Sequence, residues 1–213
     1  MLAGCGADAV ELSAFRASEL PQLVTCVEAI AQSVSHFRHV SVHAPSRFEA
    51  EDEAAIVGML RDLVAWGWPI VVHPDVVQTP VLWRGLGSML WVENMDKRKP
   101  IGRTAMELAK VFGEFPDAGL CFDVAHARQV DPSMVEAFRI LRMHGHRVRQ
   151  IHVSEVGTSS RHTRLTPSGL RDLNRIVHLL SPRVPVILES PVVPQAIGAE
   201  IAAARSVLEP SAA

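Results

Sequence analysis

Residues of metal-ligand type recur along this chain at or near the ends of short segments that are typical of strands. The clearest case lies at residues 119–128, where Leu-Cys-Phe leads to Asp123 and then to His126. Apolar runs of this length are typical of buried strands, and α/β enzymes place their chemistry where such strands end. The same pattern gives the series His43, His73, Glu93, Asp123, His126, His152 and Glu189, with His162 in the loop after His152.

Carboxylates and neutral imidazoles together can hold a divalent cation. The mixed set suits Mn, Co, Mg, Fe or Zn and does not select one of them. Each residue taken singly has a structural interpretation that is at least as good, such as a salt bridge for Glu93. The series as a whole favours a functional interpretation, because a closed barrel would bring all the strand ends to one rim.

Seven strands alternating with six or seven helices are predicted to position these residues. The strands are expected at 9–13, 39–45, 69–74, 89–94, 119–123, 148–153 and 184–189, and the helices at 18–37, 51–66, 104–112, 133–144, 169–180 and 195–208. An irregular connection around Trp83 and a polar loop at 158–168 complete the chain. Such alternation predicts a parallel sheet covered by helices. No Gly-x-Gly-x-x-Gly follows the first strand, so a barrel is favoured over a doubly wound open sheet.

Length and composition set the broad class. With 213 residues, 48% hydrophobic and 21% charged, the chain is expected to be a single globular domain spanning 1–213. The formal net charge of −2 argues against a strongly basic nucleic-acid platform. No apolar run approaches the roughly 20 residues of a membrane span, and the first residues lack the pattern of a signal peptide. Three cysteines at unrelated spacings (Cys5, Cys26 and Cys121) indicate a reduced, cytoplasmic protein.

The ordered series resembles the xylose-isomerase-like TIM-barrel superfamily. That superfamily contains sugar isomerases and epimerases as well as endonuclease IV-type DNA-repair enzymes (AP endonuclease family 2). The resemblance covers nearly the whole chain and rests on His43-Ala44-Pro45, His73-Pro74, Glu93-Asn94, Asp123-x-x-His126, Ile151-His152-Val153, His162 and Leu188-Glu189-Ser190. It implies a TIM (β/α) barrel.

The isomerase branch of this resemblance gives the leading functional expectation. It implies that one divalent ion is held by Glu93, Asp123, His152 and Glu189. Glu93 and Glu189 would then move a proton beside a substrate carbonyl, and His126 would orient a substrate oxygen. The expected reaction is isomerisation or epimerisation of a small sugar, sugar acid or sugar phosphate.

The endonuclease branch gives the alternative. There His43, His73, His126 and His162 would join as ligands of a multinuclear zinc site that hydrolyses a phosphodiester. Those nucleases carry an Asp two residues before the last His, and here that position is Ser160. A third expectation is a barrel without turnover that serves binding or assembly.

The resemblance also implies that the first strand of the family's barrel is missing, leaving seven. A barrel short of a strand exposes two edges, which must be covered by a partner chain, by shifted helices or by closure on seven strands, so a homo-oligomer is one of the expected arrangements.

A cationic loop follows Glu93. Lys97 and Arg98, with Arg103 and Arg161 elsewhere, are predicted to clamp a phosphate or carboxylate of the substrate, since arginine binds oxyanions with two parallel hydrogen bonds. A solvated charged loop is the alternative interpretation.

Overall fold

Seven parallel strands form the main sheet of the computed structural model, which describes residues 6–157 and 159–209. Each strand is hydrogen-bonded to the one that precedes it in this sheet, as a succession of β/α units requires. The strands are β1 Ala9–Ser13, β2 His39–His43, β3 Ile70–Val72, β4 Leu90–Glu93, β5 Gly119–Asp123, β6 Val148–Val153 and β9 Val186–Leu188. Two short strands, β7 Glu155–Val156 and β8 His162–Thr163, form a separate antiparallel hairpin.

The sheet curls into a nearly closed barrel. Its first and last strands, β1 and β9, pack against each other, but no ladder hydrogen bonds join them within the described residues. The predicted seven-stranded, TIM-barrel-like fold is therefore confirmed.

Helices surround the barrel. Those in the described part are α1 Leu20–Thr25, α2 Val27–Val34, α3 Glu53–Val64, α4 Pro80–Arg84, α5 Ala105–Glu114, α6 Val124–Val130, α7 Val135–His144, α8 Pro167–Ile176 and α9 Ile197–Leu208. The predictions for α3, α5, α7, α8 and α9 hold with shifted ends. Across residues 6–157 and 159–209, no helix combines the length and apolar character that crossing a membrane would need.

Three local predictions were wrong in detail. The helix expected at 18–37 is two helices, because Cys26 leaves the helical region at φ −96° and ψ 9°. The connection around Trp83 contains α4, which begins with proline at its first position, where the missing N–H costs nothing. The polar loop at 158–168 includes β8 and the start of α8.

The core lies between the sheet and the helices. Strand β4 is buried throughout, and the largest fully buried side chain is Trp83. Gly119 permits close packing, since a Cβ there would lie 2.7 Å from Trp91 Cδ1. Cys26 is exposed and Cys121 buried, both with free thiols, whereas Cys5 lies outside the described residues.

Candidate metal centre

Strand register places the chemistry at one end of the barrel. Asp123 pairs with His152, and Glu93 pairs with Cys121, so the ends of β4, β5 and β6 lie at the same edge of the sheet. Glu189 follows β9 directly, and its backbone N–H donates to the carbonyl of Val153 at 3.1 Å. The carboxyl ends of four strands thus point their side chains into one site.

Glu93 lies at the centre of this site, with only 1% of its side chain exposed. Its Oε2 is 3.1 Å from His43 Nε2 and 3.3 Å from His73 Nε2. Its Oε1 is 3.0 Å from His126 Nδ1 and 3.7 Å from His152 Nδ1. Each oxygen of Glu93 therefore lies between two imidazoles.

Asp123 both ends β5 and begins α6. Its Oδ1 accepts a hydrogen bond from the backbone N–H of His126 at 2.6 Å, which caps the helix. Asn94 fixes the same strand end, donating from Nδ2 to the Asp123 carbonyl and accepting the Asp123 N–H at Oδ1, both at 2.8 Å. The other carboxylate oxygen, Asp123 Oδ2, faces the site.

The third part of the site joins β6, β9 and the hairpin. His152 Nδ1 lies 3.4 Å from Glu189 Oε2, and His162 Nδ1 lies 3.6 Å from the same oxygen. Ser154 Oγ shares a 2.9 Å hydrogen bond with His162 Nδ1. Glu189 and His162 are partly exposed, so they form the side of the site that a substrate can reach.

Mutual attraction holds several of these groups in their charged forms. Burial acts to raise the pKa of Glu93, but the positive charges of His73 and His152 and a hydrogen bond from His126 hold it well below its usual range. Burial acts to lower the pKa of His43, yet its hydrogen bond with Glu93 raises it to about 9. For His126, burial likewise acts to lower the pKa, but attraction to Asp123 and Glu93 raises it to about 10.

The groups nearer to solvent behave differently. Burial raises the pKa of Glu189 to about 8, with the negative charges of Asp123 and Glu93 adding to the rise against the attraction of His152. Burial lowers the pKa of His73 and of His162. A lowered pKa favours the neutral imidazole, which is the form that binds metal ions.

The donor set fits divalent metal ions. Four buried atoms of the site lack a hydrogen-bond partner among the described residues: His73 Nδ1, Asp123 Oδ2, His152 Nδ1 and Glu189 Oε2. An unpaired buried polar atom costs free energy unless a ligand or ion binds it. In the described part of the chain, four overlapping groups have ligand atoms within 4.8 Å of one another: His43–His73–Glu93, Glu93–Asp123–His152, Asp123–His162–Glu189 and Glu11–His152–Glu189. Glu93, Asp123, His152 and Glu189 each belong to two groups. His126 belongs to none of these four groups and contacts Glu93 instead.

The predicted clamp residues have varied surroundings. Lys97 and Arg98 are exposed in the loop after β4, and Arg98 is held there by Asp96, whose Oδ1 accepts its backbone N–H at 2.7 Å. Arg161 is exposed on the hairpin. Arg103 donates to Glu107 from both Nε and a terminal nitrogen, at 3.2 and 2.6 Å. Its guanidinium is thus occupied within α5 and its N-terminal flank.

One residue of the site was missed from the sequence. Glu11, in the middle of β1, places its carboxylate 3.2 Å from His152 Nε2. Burial acts to raise its pKa, but attraction to His152 and His43 lowers it to about 2. The only sequence signal is an acid inside an otherwise apolar strand, Ala-Val-Glu-Leu-Ser, which an inward-facing position would explain.

Comparison with known proteins identifies the fold. No protein-family model and no curated protein matches the sequence. Among solved structures, endonuclease IV from Thermus thermophilus has a TM-score of 0.70 at 23% identity, over 98% of this chain and 91% of that one. D-psicose 3-epimerase has a TM-score of 0.68 at 14% identity, over 96% and 90%.

A xylose isomerase-like TIM barrel protein from Mycobacterium smegmatis, solved in complex with magnesium, has a TM-score of 0.58 at 13% identity, over 96% and 86%. The resemblance to xylose-isomerase-like TIM barrels is therefore confirmed at the level of the fold. Because this fold carries both epimerases and an endonuclease, it does not by itself give the reaction.

Proposed function

We propose that this protein is a divalent-metal-dependent hydrolase of phosphodiesters that works at the carboxyl rim of its barrel. The observation that carries this proposal is the position of Glu93, whose two oxygens each face two imidazoles. A carboxylate in that position bridges two ligand groups, His43–His73–Glu93 and Glu93–Asp123–His152. Paired ion sites that share a ligand are typical of phosphatases and nucleases.

Glu93, Asp123, His152 and Glu189 would hold one ion, as expected from the sequence, and His43 and His73 would complete a second with Glu93. Bound divalent ions supply positive charge that polarises a phosphoryl oxygen and stabilises the charge that develops in the transition state. The orphaned atoms on Asp123, His152 and Glu189 support this assignment.

Glu189 is the candidate proton acceptor. Its carboxylate is partly exposed, so it can reach a water molecule on the open side of the site, and carboxylates serve as general bases. It would take the proton of the attacking water, while neutral His162 beside it orients that water or the phosphate by a hydrogen bond. Exposed Lys97, Arg98 and Arg161 would attract the substrate's negative charge.

Sugar isomerisation or epimerisation, the leading expectation from the sequence, is the second candidate. The replacement of the nuclease Asp by Ser160 supports it, as does a net charge of −2, which suits a small substrate better than DNA. It requires Glu93 to exchange a proton with a substrate carbon, however, and this carboxylate is buried with both oxygens engaged. The same geometry therefore favours hydrolysis. A barrel without turnover is the third candidate.

Metal content and turnover together test the proposal. Protein purified without chelator is analysed for metal, and then assayed with bis(p-nitrophenyl) phosphate, with duplex DNA containing an abasic site, and with a panel of ketoses. We expect two ions per chain and phosphodiester cleavage that falls by about 10²–10⁴-fold in Glu189→Gln. The matched control is Glu114→Gln, an exposed acid on α5 that pairs with Arg84.

The other outcomes separate the candidates. One ion per chain with turnover of a ketose and none of the phosphodiesters would establish the second candidate in place of the first. A chain that takes up no metal on titration would leave the third. Full activity in Glu189→Gln would remove the assigned role of Glu189 even if hydrolysis is observed.

A further inference from the structure

A buried carboxylate outside the predicted ligand set crosses the barrel to reach the site. Glu11 lies on β1 and His152 on β6, 141 residues apart in the chain, yet their side chains are in contact. Glu11 Oε1 is 3.2 Å from His152 Nε2, with 7% of the Glu11 side chain and none of the His152 side chain exposed. A contact so deep in the barrel constrains the imidazole strongly.

The two ring nitrogens of His152 face different partners. Nδ1 lies 3.4 Å from Glu189 Oε2 and 3.7 Å from Glu93 Oε1, and it is buried with no hydrogen-bond partner among the described residues. Nε2 faces Glu11 and Gln150 on the opposite side of the ring. Nδ1 is therefore the atom available to an ion held with Glu93 and Asp123.

The choice of Nδ1 fixes the tautomer of His152. An imidazole that gives its Nδ1 lone pair to an ion carries its proton on Nε2. Near Nε2, Glu11 Oε1 at 3.2 Å can only accept when ionised, and the amide nitrogen of Gln150 has other acceptors for its hydrogens in Glu11 Oε2 at 2.6 Å and Cys121 Sγ at 3.6 Å. The Nε2 proton is thus donated to Glu11.

We propose that Glu11 is a positioning residue for His152, so that the two form a carboxylate–histidine–metal unit. This inference rests on the metal site proposed above and adds the part that orients its imidazole. Glu11 is fixed independently of any ion, because Ser41 Oγ and Gln150 Nε2 donate to its Oε2 at 2.9 and 2.6 Å. Such partners set the ring orientation and raise the basicity of the ligand nitrogen.

Metal affinity tests this role directly. Zn²⁺ binding to the metal-depleted full chain is measured by chelator competition for the wild type, Glu11→Gln and Glu53→Gln. We expect Glu11→Gln to keep the wild-type stoichiometry and to weaken the affinity by about 10- to 100-fold, the usual effect of losing such a partner. Glu53→Gln is the matched control, since Glu53 is a buried acid that accepts hydrogen bonds from Gln78, Thr79 and Trp83 instead.

A spectroscopic measurement on the wild type keeps the test valid even if Glu11→Gln does not fold. In ¹⁵N-labelled, zinc-loaded protein, long-range ¹H–¹⁵N correlation of the histidine rings should show His152 protonated at Nε2. Protonation at Nδ1 would overturn the inference, as would equal affinities of the wild type and Glu11→Gln. Loss of a whole equivalent of zinc in Glu11→Gln would also overturn it, because Glu11 would then be a ligand itself. Failure of the wild type to bind zinc would instead remove the metal site on which both proposals depend.

Discussion

Arg128 on α6 joins three segments around the rim, and its removal should destabilise the protein far more than loss of a surface ion pair. Its guanidinium pairs with Glu155 on β7 and with Asp172 on α8, where Nε donates to Oδ2 at 2.7 Å. It also donates to Ser168 Oγ at 3.0 Å. Since α6 begins at Asp123 and the hairpin carries His162, this cluster connects two parts of the site.

The expected magnitude follows from the burial of the pair. Removing one member of a fully buried ion pair costs about 3–5 kcal/mol, whereas an exposed pair is worth about 0–1 kcal/mol. The Arg128 side chain is 27% exposed and that of Glu155 8%, so the pair lies nearer to the buried limit. We therefore expect Arg128→Met, which keeps the aliphatic stem, to lower the free energy of unfolding by about 2–3 kcal/mol.

Urea unfolding followed by tryptophan fluorescence measures this loss. The matched control is Arg84→Met, whose partner Glu114 is 58% exposed and whose loss should cost at most about 1 kcal/mol. A double-mutant cycle with Glu155→Gln should give a coupling of about 2 kcal/mol between positions 128 and 155. Equal losses in Arg128→Met and Arg84→Met, or a coupling near zero, would refute the reasoning.

Two further predictions concern charge. Glu53→Gln should lower the free energy of unfolding by about 2–3 kcal/mol near pH 7, because three donors converge on Glu53 Oε1 and hydrogen bonds to a charged acceptor are the stronger ones. Burial acts to raise the pKa of Glu53, but hydrogen bonds from Thr79, Gln78 and Trp83 lower it. The stabilisation by the charged Glu53 is therefore lost as the pH falls through its folded-state pKa. The unfolding free energies of the wild type and Glu53→Gln, measured by urea titration, should accordingly converge in acid. Chelator-treated protein should lose stability as the pH rises from about 6.5 to about 10. The folded-state pKa values of His43 and His126 are raised to about 9 and about 10, so their stabilising contributions disappear as those groups lose their protons. Metal-loaded protein should show the opposite trend, because ligands bind ions after losing their protons. The difference between the melting temperatures of the metal-loaded and the chelator-treated protein should therefore widen with pH. A constant difference would contradict the assignment of His43 and His126 to the site.

Positions of the barrel strands were predictable from the sequence because these strands are short segments rich in Val, Ile or Leu. The barrel class followed from the potential ligands that come at the end of nearly every strand. Helix boundaries were less accessible: α4 is only five residues long, and Cys26 interrupts a helical pattern without proline or glycine. The hairpin was hidden because β7 and β8 have two residues each and a polar composition.

The geometry of the site was predictable only in part. Strand ends gave Glu93, Asp123, His152 and Glu189, since parallel strands deliver their last residues to one rim. Each oxygen of Glu93 lies near two histidine rings, and this arrangement depends on side-chain directions that the spacing of residues along the sequence does not determine. Glu11 escaped the same reasoning because it lies in mid-strand, one layer below the rim, where TIM barrels usually carry branched apolar residues.

Polar contacts of Glu11 inside the barrel also help to hold β1 in place, although no ladder hydrogen bonds join β1 to β9 within the described residues. Gln150 on β6 donates to Glu11 at 2.6 Å, and its Oε1 lies 2.9 Å from His39 Nε2 on β2. These contacts cross the interior, so β1 and β2 are tied to β6 from inside while β1 and β9 only pack together. An ion that orders His152 would act on β1 through Glu11, and binding free energy at the rim would then also stabilise the closure of the barrel. We therefore expect metal removal to increase hydrogen exchange in β1 before it does so in β4 and β5, which are each hydrogen-bonded to a neighbouring strand on both sides.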